Sequence, residues 1–121
     1  MITLYGIPNC NTVKKSRTWL ENHGIEYSFY DYKKQRVDEE KLKQWLKQIP
    51  LDRLLNRQGL TYRKLSDEEK AQTNDVNFAI KLMSSQPSII KRPLIEDNNG
   101  KVLVLGFDEV DYAELFFRKN N

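Results

Sequence analysis

Cys10 is the side chain best suited to covalent chemistry in this sequence. It is the chain's single cysteine and stands in Gly6-Ile7-Pro8-Asn9-Cys10-Asn11-Thr12, just ahead of a helical pattern. A cysteine at a helix start meets backbone N–H groups with no partner inside the helix, and the positive end of the helix dipole. Both favour the thiolate, and such cysteines titrate as low as about 3.5–7.5. The same N–H groups make an anion site, with Lys14, Lys15 and Arg17 adding positive charge nearby. The alternative is a thiol that only packs, but Pro8, Asn9, Asn11 and Thr12 suit a polar loop better than a core. We therefore take Asn9, Asn11 and Thr12 as candidate substrate-binding neighbours of a reactive Cys10. A dithiol of the Cys-x-x-Cys type needs a second cysteine three residues on, and Val13 occupies that position. A mixed disulfide at Cys10 then has to be resolved from outside the chain, by glutathione or a partner protein.

The flanking elements are those of a crossover unit. Ile2-Thr3-Leu4-Tyr5 reads as a β-strand bounded by Gly6 and Pro8. A helix from about Thr12 carries Val13, Trp19 and Leu20 inward and stops at Gly24. Tyr27 to Tyr32 reads as a second strand, so the first thirty-odd residues predict a parallel βαβ unit with Cys10 in its first loop. Ligands of α/β folds gather at the carboxyl ends of such strands.

Farther along, Asp38 caps a helix bearing Leu42, Trp45, Leu46 and Ile49, which Pro50 ends. Leu51 to Leu55 makes a short turn halted by Gly59. Ser66 and Glu69 have the spacing of a capping box, and Val76, Ala79, Ile80 and Met83 form an apolar stripe before Pro87. A hairpin follows, Leu94-Ile95-Glu96 with Val102 to Leu105 across the turn Asp97-Asn98-Asn99-Gly100. Asp108 then caps a last helix with Val110, Tyr112, Ala113, Leu115 and Phe116 inward. The order predicts an α/β fold, βαβ…ββα around a four-stranded mixed sheet, as one domain over 1–121 with a helical insertion at about 38–86. Trp19, Trp45 and the tyrosines are expected in packing roles, and His23 at the surface of a helix end.

Composition narrows the function classes. With 20 basic and 17 acidic residues the net charge is +3, and the signs are interspersed. Lys14 to Arg17 and Lys33 to Arg36 are too short for a nucleic-acid stripe, so no direct nucleic-acid partner is expected. No apolar run is long enough to span a membrane, and Met1 to Gly6 has no signal-like pattern. A cytoplasmic, monomeric protein is expected. One histidine and one cysteine cannot supply a structural zinc site.

Three motifs in order carry a resemblance: Tyr5 to Lys15 around Cys10, then Leu54-Leu55-Asn56-Arg57-Gln58-Gly59, then Lys91-Arg92-Pro93-Leu94-Ile95, with Gly106-Phe107-Asp108 behind them. Over nearly its whole length the chain resembles the arsenate reductase (ArsC)/Spx family, and within it the YffB-like branch. The resemblance implies a thioredoxin-like fold with a helical insertion and Cys10 as the redox nucleophile. It also implies Arg92 as an oxyanion-binding arginine and Pro93 as a cis-proline facing the cysteine. Arsenate reductases carry arginine where Asn56 stands, with Arg57 beside it as a substitute substrate-binding residue. They carry a further arginine in the region of Leu105-Gly106-Phe107, and Val13 removes the Cys-x-x-Cys switch of Spx regulators. The expected activity is that of a monothiol reductase with glutathione as thiol co-substrate, no bound cofactor, and glutathione or a glutaredoxin-like donor as partner. The alternatives are an arsenate reductase and a non-catalytic, Spx-like regulator that contacts RNA polymerase.

Overall fold

The structure is a computed structural model and describes residues 1–117. The chain runs β1 (Ile2–Gly6), α1 (Asn11–Asn22), β2 (Tyr27–Asp31), α2 (Glu39–Leu46), α3 (Leu51–Leu54), α4 (Leu60–Arg63), α5 (Asp67–Gln72), α6 (Val76–Ser85), a 3-10 turn (Pro87–Ile89), β3 (Leu94–Glu96), β4 (Val102–Leu105) and α7 (Glu109–Phe117). It divides into two compact units. Among the described residues one is Met1–Asp31 with 92–117, and the other is Tyr32–Lys91.

The first unit contains the expected four-stranded mixed sheet, in the order β2-β1-β3-β4. β1 runs parallel to β2, with Leu4 opposite Phe29, and antiparallel to β3, with Leu4 opposite Ile95. β3 and β4 form the hairpin, with a register shift between Ile95 and Glu96. Because side chains alternate across a sheet, Leu4 and Ile95 share one face. There they join Val13, Trp19 and Leu20 of α1 and Tyr112 of α7 in one buried cluster. Each large side chain fully buried in this way contributes about 1.5–3 kcal/mol. Tyr5, Leu94 and Glu96 alternate with them and are also buried, and the Tyr5 hydroxyl donates to Glu96 Oε1 at 2.7 Å.

α7 departs from expectation. Its inward residues are Tyr112 and Phe116, one turn apart, whereas Val110 and Leu115 are exposed, at 67% and 38%, and so is Ala113. One apolar face of so short a helix is enough to cover the cluster, and the other apolar side chains turn outward. Asp108 caps the helix as expected, accepting from the N–H groups of Val110 and Asp111 at 2.9 and 3.1 Å.

In the second unit α2 packs on α6, with Leu42, Trp45, Ala79, Ile80, Leu82 and Met83 buried. Val76, the first residue of α6, is exposed rather than inward. The capping box of α5 forms as read: Ser66 Oγ accepts from Glu69 N at 3.1 Å, and Glu69 Oε1 accepts from Ser66 N at 3.0 Å. Asp38 precedes α2 but makes no side-chain cap. Gly59 opens a short helix, α4, that the sequence reading did not contain. The segment Leu54 to Asn56 pairs with Ile89 to Lys91 through two backbone hydrogen bonds of 2.8 Å, joining the end of α3 to the chain after the 3-10 turn. Among the described residues no helix is long and apolar enough to cross a membrane.

Candidate active site around Cys10

The loop from β1 to α1 is shaped by close packing at its base. A Cβ on Gly6 would lie 2.8 Å from a γ-methyl of Val13, so only glycine lets the strand end approach the first turn of α1 this closely. Cys10 is the residue ahead of that turn, in extended conformation with φ −92° and ψ 126°. Its N–H donates to Ile7 O at 3.2 Å, and its carbonyl accepts from Lys14 N at 2.9 Å, the first bond of the helix. The side chain is half-buried against the edge of the aromatic and aliphatic cluster. Pro8, Asn9, Asn11 and Thr12 around it are exposed.

Opposed effects act on the thiol. Burial is the largest and pushes it up. The backbone N–H groups of Val13 and Thr12 and the guanidinium of Arg92 pull it down, and together they prevail, so the thiol titrates below its ordinary value. The sulfur makes no regular capping hydrogen bond; it gains from these donors as an anion near the free N–H groups of a helix start does. The cation acting on it is Arg92. Arg17 is engaged at the β2 side, with its guanidinium 4.0 Å from the Phe29 ring centre and Nε donating to Tyr27 Oη at 2.9 Å. Lys14 and Lys15 are exposed.

Arg92 reaches the cysteine from the segment leading into β3. The bond from Arg92 to Pro93 is cis, as the resemblance implied, and Pro93 is buried. The Pro93 carbonyl accepts from Gly106 N at 2.7 Å. Gly106 has φ +94°, a left-handed conformation in which a side chain is strained. Its own carbonyl accepts from the Tyr112 hydroxyl at 2.8 Å, and Tyr112 Oη lies 2.7 Å from Ser16 Oγ on α1. Burial pushes the Tyr112 hydroxyl up to about 12, with the Ser16 hydrogen bond acting the other way, so it keeps its proton at neutral pH. Sequence reasoning missed Ser16, although its spacing from Val13 and Trp19 puts it on the buried stripe of α1. It placed Tyr112 in the core and assigned it nothing more.

A model of the ArsC family matches residues 5–115. The chain belongs to the ArsC family. Among solved structures it is similar to a YFFB protein, with a TM-score of 0.86 and 42% identity over 95% of this chain and 98% of that one. It is likewise similar to an arsenate reductase (ArsC) related protein from Brucella melitensis, with a TM-score of 0.72 and 45% identity over 97% and 94% of the two chains. The global transcriptional regulator Spx of Staphylococcus aureus is 28% identical, over 98% of this chain and 89% of that protein. The fold is accordingly the thioredoxin-like one that the motifs implied.

Not every candidate residue belongs to the same unit as Cys10. Asn9, Asn11, Thr12, Arg92 and Pro93 do. Arg57 belongs to the other, where Nε and Nη2 donate to Asp52 Oδ1 at 3.2 and 3.1 Å and Nη1 donates to Thr73 Oγ1 at 2.7 Å and Tyr62 Oη at 3.3 Å. Asn56, at the ArsC arginine position, turns its side chain to its own backbone: Oδ1 accepts from Gln58 N at 3.1 Å. This is an Asx turn, a local use of a short amide.

Proposed function

We propose that this ArsC-family protein is a glutathione-dependent monothiol reductase with Cys10 as its nucleophile. The observation that carries the reading is the thiol of Cys10 held below its ordinary value by the N–H groups of Val13 and Thr12 and by Arg92. In the step envisaged, the Cys10 thiolate attacks the glutathione sulfur of a mixed disulfide. A Cys10–glutathione disulfide forms as the substrate's own thiolate leaves. The chain has no second cysteine to attack that bond. A second glutathione, or a glutaredoxin-like donor, does so instead, restoring the Cys10 thiolate and carrying the pair away as oxidised glutathione or its equivalent. Two electrons pass from the external thiols to the substrate, and no bound cofactor or metal is needed. Arg92 suits a carboxylate of the tripeptide, since a planar fork of donors matches it. The exposed Asn9, Asn11 and Thr12 flank the path of approach. A reducing cytoplasm supplies the thiol pool this chemistry requires.

Exposure to oxidised glutathione followed by intact mass measurement tests the proposal. The expected result is one glutathione per chain in the wild type and none in Cys10→Ser. An unmodified mass after long exposure overturns the reductase reading and moves the assignment to a non-catalytic regulator of the Spx kind.

A further inference from the structure

We propose that Tyr112 and Ser16 are positioning residues for the Cys10 site, forming a buried hydrogen-bonded tie that holds the cysteine's helix in register with the segment bearing Arg92. This rests on Cys10 being the working nucleophile and is independent of which disulfide it attacks. The Tyr112 hydroxyl has one proton and gives it to the carbonyl of Gly106, 2.8 Å away. Its remaining capacity is as an acceptor, so the Ser16 hydroxyl, 2.7 Å away, is the donor to it. Gly106 in turn donates its N–H to the Pro93 carbonyl at 2.7 Å.

The tie is continuous, Ser16 to Tyr112 to Gly106 to Pro93, and its two ends meet the two halves of the site. Ser16 lies on α1 between Val13, whose N–H acts on the sulfur, and Trp19 in the core. Pro93 directly follows Arg92, whose guanidinium acts on the same sulfur. Ser16 and Tyr112 are both fully buried. Neither hydroxyl can be satisfied by solvent: losing that of Tyr112 takes a partner from both Ser16 and the Gly106 carbonyl, and losing that of Ser16 leaves Tyr112 bonded to Gly106 alone, so either change cuts the link between α1 and the segment bearing Arg92. Gly106 suits the junction because its left-handed backbone, φ +94°, turns the N–H to Pro93 and the carbonyl to Tyr112; a β-carbon there would meet open space, so it is the backbone conformation and not lack of room that favours glycine. The hydrogen bonds that Val13, Thr12 and Arg92 direct at the sulfur weaken steeply as their geometry is lost, and the charge interaction with Arg92 falls with distance. A small loss of register between α1 and the Arg92 segment therefore shows in the titration of Cys10 before it shows in the fold.

The test is the pH dependence of Cys10 alkylation by iodoacetamide in the full-length chain. Tyr112→Phe and Ser16→Ala are compared with Leu20→Val, which thins the same core cluster without touching the tie. The expected result is an upward-moved inflection, with a several-fold slower reaction at neutral pH, in Tyr112→Phe and in Ser16→Ala. Leu20→Val should titrate as wild type even where its melting temperature falls as far. Tie variants that titrate as wild type while folded, or a Leu20→Val inflection that moves with theirs, overturn the proposal. Should Tyr112→Phe not fold, Ser16→Ala decides alone. Oxidised-glutathione uptake by the wild type is read separately: if it is absent while the inflections move, the reductase reading fails and the positioning role stands. Uptake with unmoved inflections gives the reverse.

Discussion

At Cys10 the balance between desolvation and donation sets the chemistry. A half-buried thiol is penalised for ionising, and burial is the largest single effect on it; the N–H groups of Val13 and Thr12 and the Arg92 guanidinium outweigh it together. Arg92 is the one of these donors that mutation can remove without disturbing a helix. In Arg92→Ala the folded-state thiol loses an interaction that favours its anion, so its pKa rises toward the ordinary value of about 8.5. The thiolate fraction at pH 7 falls accordingly, by about tenfold for each pH unit that the inflection climbs above 7. Iodoacetamide alkylation followed from pH 5 to 10 should show the inflection above that of the wild type. An unchanged profile would assign the whole effect to the helix start.

The elements bring the donors to the sulfur, and the tightest joint is between β1 and α1. The Gly6 position and the Val13 γ-methyl leave no space for a β-carbon, and Val13 is fully buried and stiff about its first side-chain torsion. Gly6→Ala must displace α1 or the strand end, an overpacking that costs about 1–3 kcal/mol. The urea midpoint should fall, at unchanged slope, by that free energy divided by the slope, and Cys10 alkylation at neutral pH should slow as the N–H groups of Thr12 and Val13 move. A midpoint equal to that of the wild type would mean that the joint is looser than its geometry implies.

At the scale of the molecule, ArsC membership and the arrangement of arginines point different ways. Of the arginines that the resemblance assigns to oxyanion binding, Arg92 acts on Cys10. Asn56 stands at a second position and forms an Asx turn. Arg57 beside it is held by Asp52, Thr73 and Tyr62, and breaking those bonds would cost what they contribute. The region of the third is occupied by Gly106, whose φ of +94° leaves no unstrained place for an arginine. Attack of a thiolate on arsenate brings two anions together, and losing one preorganised donor from such a site costs about 10²–10³ in rate. Arsenate-dependent NADPH oxidation with glutathione, glutaredoxin and glutathione reductase should therefore be weak or absent. Turnover at the level of an efficient arsenate reductase, lost in Cys10→Ser, would show that Arg92 and the helix start suffice.

Much of this was legible along the chain because it depends on near neighbours in sequence. The alternation of Ile2 to Tyr5, the Ser66–Glu69 box, the hairpin turn at Asp97 to Gly100 and the cysteine at a helix start are each settled within a few residues, as was the absence of a resolving cysteine at Val13. The motifs around Cys10 and Arg92-Pro93 pointed to the family, and the cis bond at Pro93 is where they implied it. What neighbours in sequence could not decide was which apolar residues of α7 turn inward, since Val110, Tyr112, Leu115 and Phe116 all qualify by type and packing against α1 selects Tyr112 and Phe116. Nor could they decide which cation serves the thiolate. Lys14, Lys15 and Arg17 are near Cys10 in sequence, yet the charge that acts on it comes from Arg92, 82 positions along the chain. The tie from Ser16 through Tyr112 and Gly106 to Pro93 joins three segments that are distant in sequence. Hydrogen bonds and ion pairs act over a few ångströms of space, so only the folding of β3, β4 and α7 onto the βαβ unit decides them.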